Sequence, residues 1–334
     1  MNMMEHSVWL WVGFGVVILF MMSLDLGLFN RTAHTPSYKE AAAWSGVWVT
    51  LALIFSGVIF WHLGTIKGLE FLTGYVIELS LSVDNLFVFL LIFSYFKVPS
   101  KYQHRVLFWG VLGALVMRII IIMVGTVLIT RFHWIIYIFG AFLIYTGVKM
   151  MFQKETELEP EQNPVVRLIT RFVPITRHYE GEKFFTIANG RRTGTLLLLV
   201  LVIVEVTDLV FAVDSIPAIF GVTKDSFIVY TSNVFAILGL RSLFFLLAGV
   251  VEKFHYLKTG LAIVLSLIGV KMLAESFLLH VMDKYTLIVG SLVAVALILA
   301  SSVIASLIWP EKEKLDLNID LPTDFDPPTG SQSG

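Results

Sequence analysis

The chain repeats, along most of its length, apolar runs long enough to cross a bilayer, and this limits its fold more than any other feature. Nine such runs stand out: Ser7–Phe29, Ala41–Leu63, Glu70–Phe96, His104–Ile129, Trp134–Phe152, Thr193–Phe220, Ser226–Val250, Leu257–His280 and Tyr285–Trp309. A hydrocarbon core of about 30 Å is crossed by roughly 20 apolar residues in a helix. Inside it the backbone finds no water, so each run must satisfy its own amides and carbonyls as a helix. The expected fold is therefore an all-α polytopic membrane protein of about nine transmembrane helices. Composition agrees: 57% of the 334 residues are hydrophobic and 15% charged, where a soluble domain carries about a quarter charged.

The same composition removes whole classes of function. A formal net charge of -1 provides no basic face, so no nucleic acid is expected as a partner. There is no cysteine, which excludes disulfides, thiolate metal sites and cysteine catalysis. No phosphate-cradling glycine loop, HExxH or nucleophile elbow is present, and the chain is expected not to be an enzyme. Met1 to His6 carry no Lys or Arg and no small-residue cleavage site follows, so the first run is expected to be a retained span.

Lys and Arg set the expected orientation. Counting those within two residues of a span end with the loops, sixteen fall in one alternate set of connecting segments, four (Lys67, Arg131, Lys224, Lys284) in the other, and four within the spans. The N-terminus is thus expected outside and the C-terminus inside a cytoplasmic (inner) membrane. The largest loop, 153–192, holds Pro160, Pro164 and Pro174 and is expected to be cytoplasmic, with a β-hairpin where Phe184-Phe185-Thr186-Ile187 precedes Asn189-Gly190. The polar tail 310–334 is expected to be disordered. Trp44, Trp48, Trp61, Trp134 and Trp309 lie toward span ends and read mostly as interfacial belt residues.

An internal repeat organises the middle of the chain. Glu78-Leu-Ser-Leu-Ser-Val-Asp84-Asn85 matches Asp208-Leu-Val-Phe-Ala-Val-Asp214-Ser215, Gly113 to Arg118 has a counterpart in Gly239 to Arg241, and Gly147-Val-Lys-Met150 recurs as Gly269-Val-Lys-Met272. Each copy covers three spans, an odd number, so the copies are expected to enter the membrane from opposite sides. That is the inverted-repeat plan of many secondary transporters, whose sites lie near midplane. The expected segmentation is two N-terminal spans (1–69), a first triplet (70–152), the cytoplasmic loop (153–192), a second triplet (193–281), a last span (282–309) and the tail (310–334).

Ionisable groups at bilayer depth cost several kcal/mol unless paired or solvated. Glu78 and Asp84 sit in the third span, and Glu205, Asp208 and Asp214 in the sixth. Asn85 lies seven residues after Glu78 and Ser215 seven after Asp208, with Ser82 on the same face as its pair. Six or seven residues is ~9–10 Å of axial rise, so one straight helix cannot wrap one ion: the helices must cross or one must break. Pro217 offers a break that frees the Val213 carbonyl beside Asp214; it is otherwise a simple kink. Every candidate ligand is an oxygen donor, and the eight histidines lie at span ends or in loops. Such a set suits Mg, Ca or Mn and does not separate them.

The buried cations are the natural partners of these acids. Arg118 and Arg241 lie mid-span, either pairing with the acids in the empty site and releasing them when a metal enters, or forming a fixed packing bridge. Lys149 is placed to snorkel, and Lys271 to pair with Glu275 one turn on. Asp25 is either a cytoplasmic gate or entry ligand, or a solvated interfacial acid.

At these motifs the chain resembles the TerC family of integral membrane proteins and, within it, the Alx-like subgroup. The residues that carry the likeness are Gly74-Tyr-Val-Ile-Glu78, Val83-Asp-Asn-Leu-Phe-Val88, Glu205 to Asp208, Phe211-Ala-Val-Asp-Ser-Ile-Pro-Ala-Ile219, Ser232-Asn233 through Arg241, and both Gly-Val-Lys-Met stretches. The resemblance implies inverted three-helix repeats, Mn²⁺ efflux with an association with tellurium resistance, and metal ligands at Glu78, Asp84, Asn85, Glu205, Asp208, Asp214 and Ser215. Asp25, Arg118, Arg241, Lys149, Lys271, Pro217 and Asn233 form the accompanying gating or ion-pair set. The expected partners are the lipid bilayer and a divalent metal ion, with Mn²⁺ as cargo and no permanently bound cofactor. The rival expectations are a tellurite-stress scaffold that docks proteins at the 153–192 loop, and an intramembrane aspartyl protease. Against the protease, Asp208 and Asp214 share one helix.

Overall fold

Runs of Leu, Ile, Val and Phe with almost no breakers become helices wherever the sequence predicts spans. A computed structural model describes residues 8–29, 38–152, 174–176, 179–188, 191–248 and 255–309, with the side chains of 20, 22–29, 188, 191 and 255 outside that description. It holds ten helices: α1 Val8–Phe29, α2 Tyr38–Leu63, α3 Thr65–Tyr95, α4 Ser100–Arg131, α5 Ile135–Phe152, α6 Leu196–Phe220, α7 Ser226–Leu238, α8 Leu240–Leu247, α9 His255–Val281 and α10 Lys284–Ile308. Seven of these (α2–α6, α9 and α10) are long and apolar enough to cross a membrane, and α7 with α8, bent by 41° at Gly239, passes the same test as a pair, as a broken span or a re-entrant loop. The fold is thus a polytopic all-α membrane protein. Helix α1 has 22 residues, and its described side chains from Val8 to Leu19 are apolar. Pro160, Pro164 and the tail after Pro310 lie outside the described residues.

Two departures from expectation concern breaks. Helix α6 continues through Pro217 to Phe220, so the proline does not divide it. The divided span is the next one, where Gly239 separates α7 from α8. Trp48, expected at an interface, is 4% exposed and lies against Gly239, filling the corner that the bend creates. Trp61, Trp134 and Trp309 are exposed as belt residues should be. Between α2 and α3, Gly64 has φ 89°, a conformation that only glycine adopts without strain, and turns the chain back after one residue.

Helices α3, α4, α6 and α7 form the centre: α3 packs on α7 and α6, and α4 on α6 and α7. Helix α5 packs along α9. Lipid supplies no hydrophobic drive between helices, so close backbone approach must do the work. A Cβ on Gly269 would stand 2.6 Å from the Gly140 carbonyl oxygen, and one on Gly147 2.5 Å from that of Ala262. The glycines of the two Gly-Val-Lys-Met stretches are therefore contact points of this pair. Helices α1 and α2 are fastened by aromatic rings: Phe14–Phe55 at 5.5 Å, Phe55–Phe71 at 5.4 Å and Phe55–Phe235 at 4.9 Å join α1, α2, α3 and α7.

The expected hairpin is present. Strands β1 Phe185–Ala188 and β2 Arg191–Gly194 pair antiparallel with Ala188 opposite Arg191, leaving a two-residue connection. It is pinned to the ends of α3 and α4. The Tyr179 hydroxyl donates to the Phe96 carbonyl (2.7 Å), burial pushing its phenol up from the usual tyrosine range, and the Arg105 guanidinium lies 5.0 Å from the Phe184 ring centroid. Helix α6 starts directly from β2, through Thr195. The C-terminal end of α3 and the N-terminal end of α6 are thus on one face, the hairpin face, and α3 and α6 run in opposite directions.

Candidate cation site

Four central helices meet around one side chain. Arg118, in α4, is 0% exposed. Its Nη1 donates to Glu78 Oε1 of α3 in a short ion pair, to Ser215 Oγ of α6 at 3.1 Å and to Asn233 Oδ1 of α7 at 2.6 Å. Its Nη2 stands 4.0 Å from Asp208 Oδ1, also of α6. Asn233 is held in register because its Nδ2 donates to the Val229 carbonyl at 2.9 Å, which leaves Oδ1 for the guanidinium.

The cluster is incompletely satisfied. One nitrogen of Arg118 serves three acceptors, while Nε and Nη2 have no hydrogen-bond partner in the protein. Glu78 Oε2, Asp208 Oδ2 and Ser82 Oγ, all buried, have none either. Breaking up a buried charge cluster costs several kcal/mol, and so does leaving buried polar atoms unpaired. Two carboxylate oxygens and a hydroxyl without donors are the groups a hard cation takes as ligands.

The remaining predicted residues are arranged at different heights along α3 and α6. Because α3 and α6 are antiparallel, Asp84 lies toward the hairpin face from Glu78, and Asp214 toward the opposite face from Asp208. Asp84 and Asp214 are half-buried, and Asn85 is buried at 4% exposure. Thr146 of α5 donates to Asp214 Oδ1 at 3.3 Å, and Lys149 lies within electrostatic range of it. Glu205 is three residues nearer the hairpin face than Asp208, with its carboxylate against the bare α-carbon of Gly113: a Cβ there would overlap it. Among the described residues no three acids or histidines stand close enough to hold a metal by themselves. The seven predicted ligands are therefore spread over several levels, and Glu78, Asp208 and Ser215 are the ones gathered at Arg118. Arg241, the second residue of the short α8, is half-buried just past the bend. The side chain of Asp25 lies outside the described residues.

A second cluster, which sequence reasoning missed, sits at the face opposite the hairpin. Lys67 bridges Glu70 (3.1 Å) and Asp225 (2.7 Å), Lys284 bridges Glu70 (2.9 Å), and the Thr223 hydroxyl donates to Glu70 (2.6 Å). Lys224 pairs with Glu275 at 3.6 Å, the acid expected for Lys271, which stays within electrostatic range of it. Lys67, Lys224 and Lys284 looked like ordinary loop cations. The available signal was Asp225 directly before Ser226, a helix cap that also presents a carboxylate.

The family model for the integral membrane protein TerC family matches residues 63–314, from the start of α3 past α10. The chain belongs to the TerC family. An uncharacterized membrane protein of Myxococcus xanthus is 52% identical over 299 residues, 90% of this chain and 92% of the relative. A putative membrane-bound redox modulator Alx of Escherichia coli K12 is 53% identical over 277 residues, 80% of this chain and 86% of the relative, and its Salmonella typhi namesake is 54% identical over 277 residues, with 80% and 86% covered. No solved structure matches the chain.

Proposed function

We propose that this TerC-family chain exports Mn²⁺ from the cytoplasm by alternating access, with Glu78, Asp208, Ser215 and Asn233 as the central cation site. The observation that carries the reading is the buried Arg118 cluster, where a guanidinium joins residues of α3, α6 and α7 while carboxylate oxygens of two of those helices lack donors. Arg118 acts as a tethered cation that holds the site together between cargo ions and gives up carboxylate to an arriving metal. Asp84 and Glu205 then lie on the hairpin side of the site and Asp214 on the other. The Lys and Arg surplus favours the hairpin face as cytoplasmic. The reciprocal packing, α3 on α7 and α6 on α4, is what two inverted triplets produce. Oxygen donors suit Mn²⁺, and its choice over Ca²⁺ or Mg²⁺ rests on the resemblance to the family. Proton antiport is the proposed coupling. The Alx relatives' name speaks of redox modulation; a chain without cysteine has no thiol exchange by which to perform it.

The test is Mn²⁺ flux in proteoliposomes. Wild-type chain is expected to move Mn²⁺ and to acidify the compartment that the metal leaves, while Glu78→Gln and Asp208→Asn are expected to stop the flux. Unchanged flux in both variants would remove the site.

A further inference from the structure

The cluster at the face opposite the hairpin ties together elements that a moving transporter must separate. Lys67 and Glu70 open α3, Asp225 caps α7, Thr223 lies in the α6–α7 turn, and Lys284 opens α10. Helix α3 belongs to the first predicted triplet, α6 and α7 to the second, and α10 to neither. Glu70 is 1% exposed and Asp225 5%, so these are buried carboxylates locked to neighbouring elements rather than surface pairs.

Each oxygen of both acids is used. Glu70 Oε1 accepts from Lys284, and Oε2 from Lys67 and Thr223. Asp225 Oδ2 accepts from Lys67, and Oδ1 from the backbone N–H groups of Phe227 (3.1 Å) and Ile228 (3.4 Å). The Thr223 hydroxyl also accepts from the Asp225 amide at 3.2 Å. A cluster with no spare oxygen is not built to take a cation. It is built to keep helix ends together.

We infer that Lys67, Glu70, Thr223, Asp225 and Lys284 form a latch that closes the pathway on the face opposite the hairpin and parts when the cargo leaves on that side. This rests on the transport reading for its purpose. Below the latch, toward Arg118, α3 and α7 are tightly apposed: a Cβ on Gly74 would stand 2.9 Å from Ile219 and 3.0 Å from Ser232 Oγ. The charged pairs, by contrast, can release without repacking a core. The two ammonium groups are also the partly exposed members, with 27% of the Lys67 and 56% of the Lys284 side chain accessible. Water can reclaim them on opening, and the acids then face the widening path as exit contacts.

The absence of native cysteine makes the test direct. Thr73, 1% exposed and one turn inside Glu70 on α3, spends its hydroxyl only on its own helix, to the Leu69 carbonyl. A Thr73→Cys reporter is treated with a membrane-impermeant maleimide from the face opposite the hairpin. With the latch intact labelling is slow; in Lys67→Ala with Lys284→Ala it is expected to rise about tenfold or more, since losing the cations leaves two buried acids unpaired. Lys67→Arg with Lys284→Arg is expected to restore slow labelling. A Met282→Cys control, at the exposed α9–α10 turn, should label at one rate in every background, and gel filtration should show the same monodisperse species. Unchanged Thr73→Cys labelling in the alanine pair, with control and profile intact, overturns the latch. The reaction needs no Mn²⁺ and no flux: a chain that opens on lysine removal yet moves no Mn²⁺ keeps the latch and loses the transport reading, and flux with unchanged labelling does the reverse.

Discussion

The two charged clusters on α3 are made of the same materials and differ in how completely they are paired. Around Glu78, one guanidinium is shared among three acceptors, and Glu78 Oε2, Asp208 Oδ2 and Ser82 Oγ have no partner. Around Glu70, eight residues away, two ammonium groups, a hydroxyl and two backbone amides satisfy all four carboxylate oxygens of Glu70 and Asp225. Full pairing fixes one geometry. Incomplete pairing at 0–5% exposure leaves ligand capacity that is costly to maintain and useful only to something that comes and goes. Lys also differs from Arg here: a compact ammonium on a flexible stem releases into water readily, whereas the planar guanidinium of Arg118 holds three helices at once from full burial.

The difference is broken most severely at the centre. Glu78→Gln or Asp208→Asn removes a candidate carboxylate ligand and leaves the buried Arg118 under-paired, costing about 3–5 kcal/mol of stability; Mn²⁺ flux should be abolished. Arg118→Met should part affinity from turnover: Mn²⁺ is held more tightly because nothing competes for the carboxylates, and transport slows, read as lowered KM with lowered maximal rate. Arg118→Lys keeps the charge without the fork and should fall between. Next in size is Gly113→Val, whose side chain must displace the Glu205 carboxylate; flux should drop several-fold with normal yield. Gly269→Leu, in contrast, forces α5 from α9 at a backbone contact, and is expected to reduce folded yield on gel filtration, whichever cluster is considered.

The smallest effect lies outside both clusters. Asp283 caps α10 by accepting from the Thr286 amide (3.0 Å) and hydroxyl (2.6 Å), which holds its carboxyl below the usual aspartate range. A depressed carboxylate stabilises above its unfolded pKa, and the contribution is lost as pH falls through the folded one. Asp283→Ala should therefore lower thermal stability slightly at neutral pH and not at strongly acidic pH.

How much of this was legible in the sequence follows from the physics of each feature. Helices are local and a bilayer forbids alternatives, so α2–α6, α9 and α10 fall within a few residues of the apolar runs that predict them. The hairpin was legible for the same reason, through Asn189-Gly190. Glu78, Asp208, Ser215, Arg118 and Asn233 were legible as buried polar residues, because such residues are costly enough to be conspicuous. Their grouping was not, since it depends on helix crossing. Asp84, Asp214 and Glu205 stand at other levels, as their axial spacing allowed, although the family resemblance grouped them with the rest. Pro217 looked like the break and Gly239 is the bend, because a proline near a helix end costs only one hydrogen bond while a glycine facing Trp48 permits a corner. Lys67, Glu70 and Lys284 sat at span edges, where charges usually meet water, so the burial of Glu70 and its pairing with both lysines were invisible until the turns were placed.

The central claim is that the under-paired cluster takes the cation and the fully paired one does not. The most direct measurement is Mn²⁺ binding to the purified chain, followed by loss of the free-ion electron paramagnetic resonance signal, for wild type, Glu78→Gln with Asp208→Asn, and Glu70→Gln with Asp225→Asn. Binding should vanish in the first pair and persist in the second. Binding that survives loss of Glu78 and Asp208 but is abolished by loss of Glu70 and Asp225 would contradict the account.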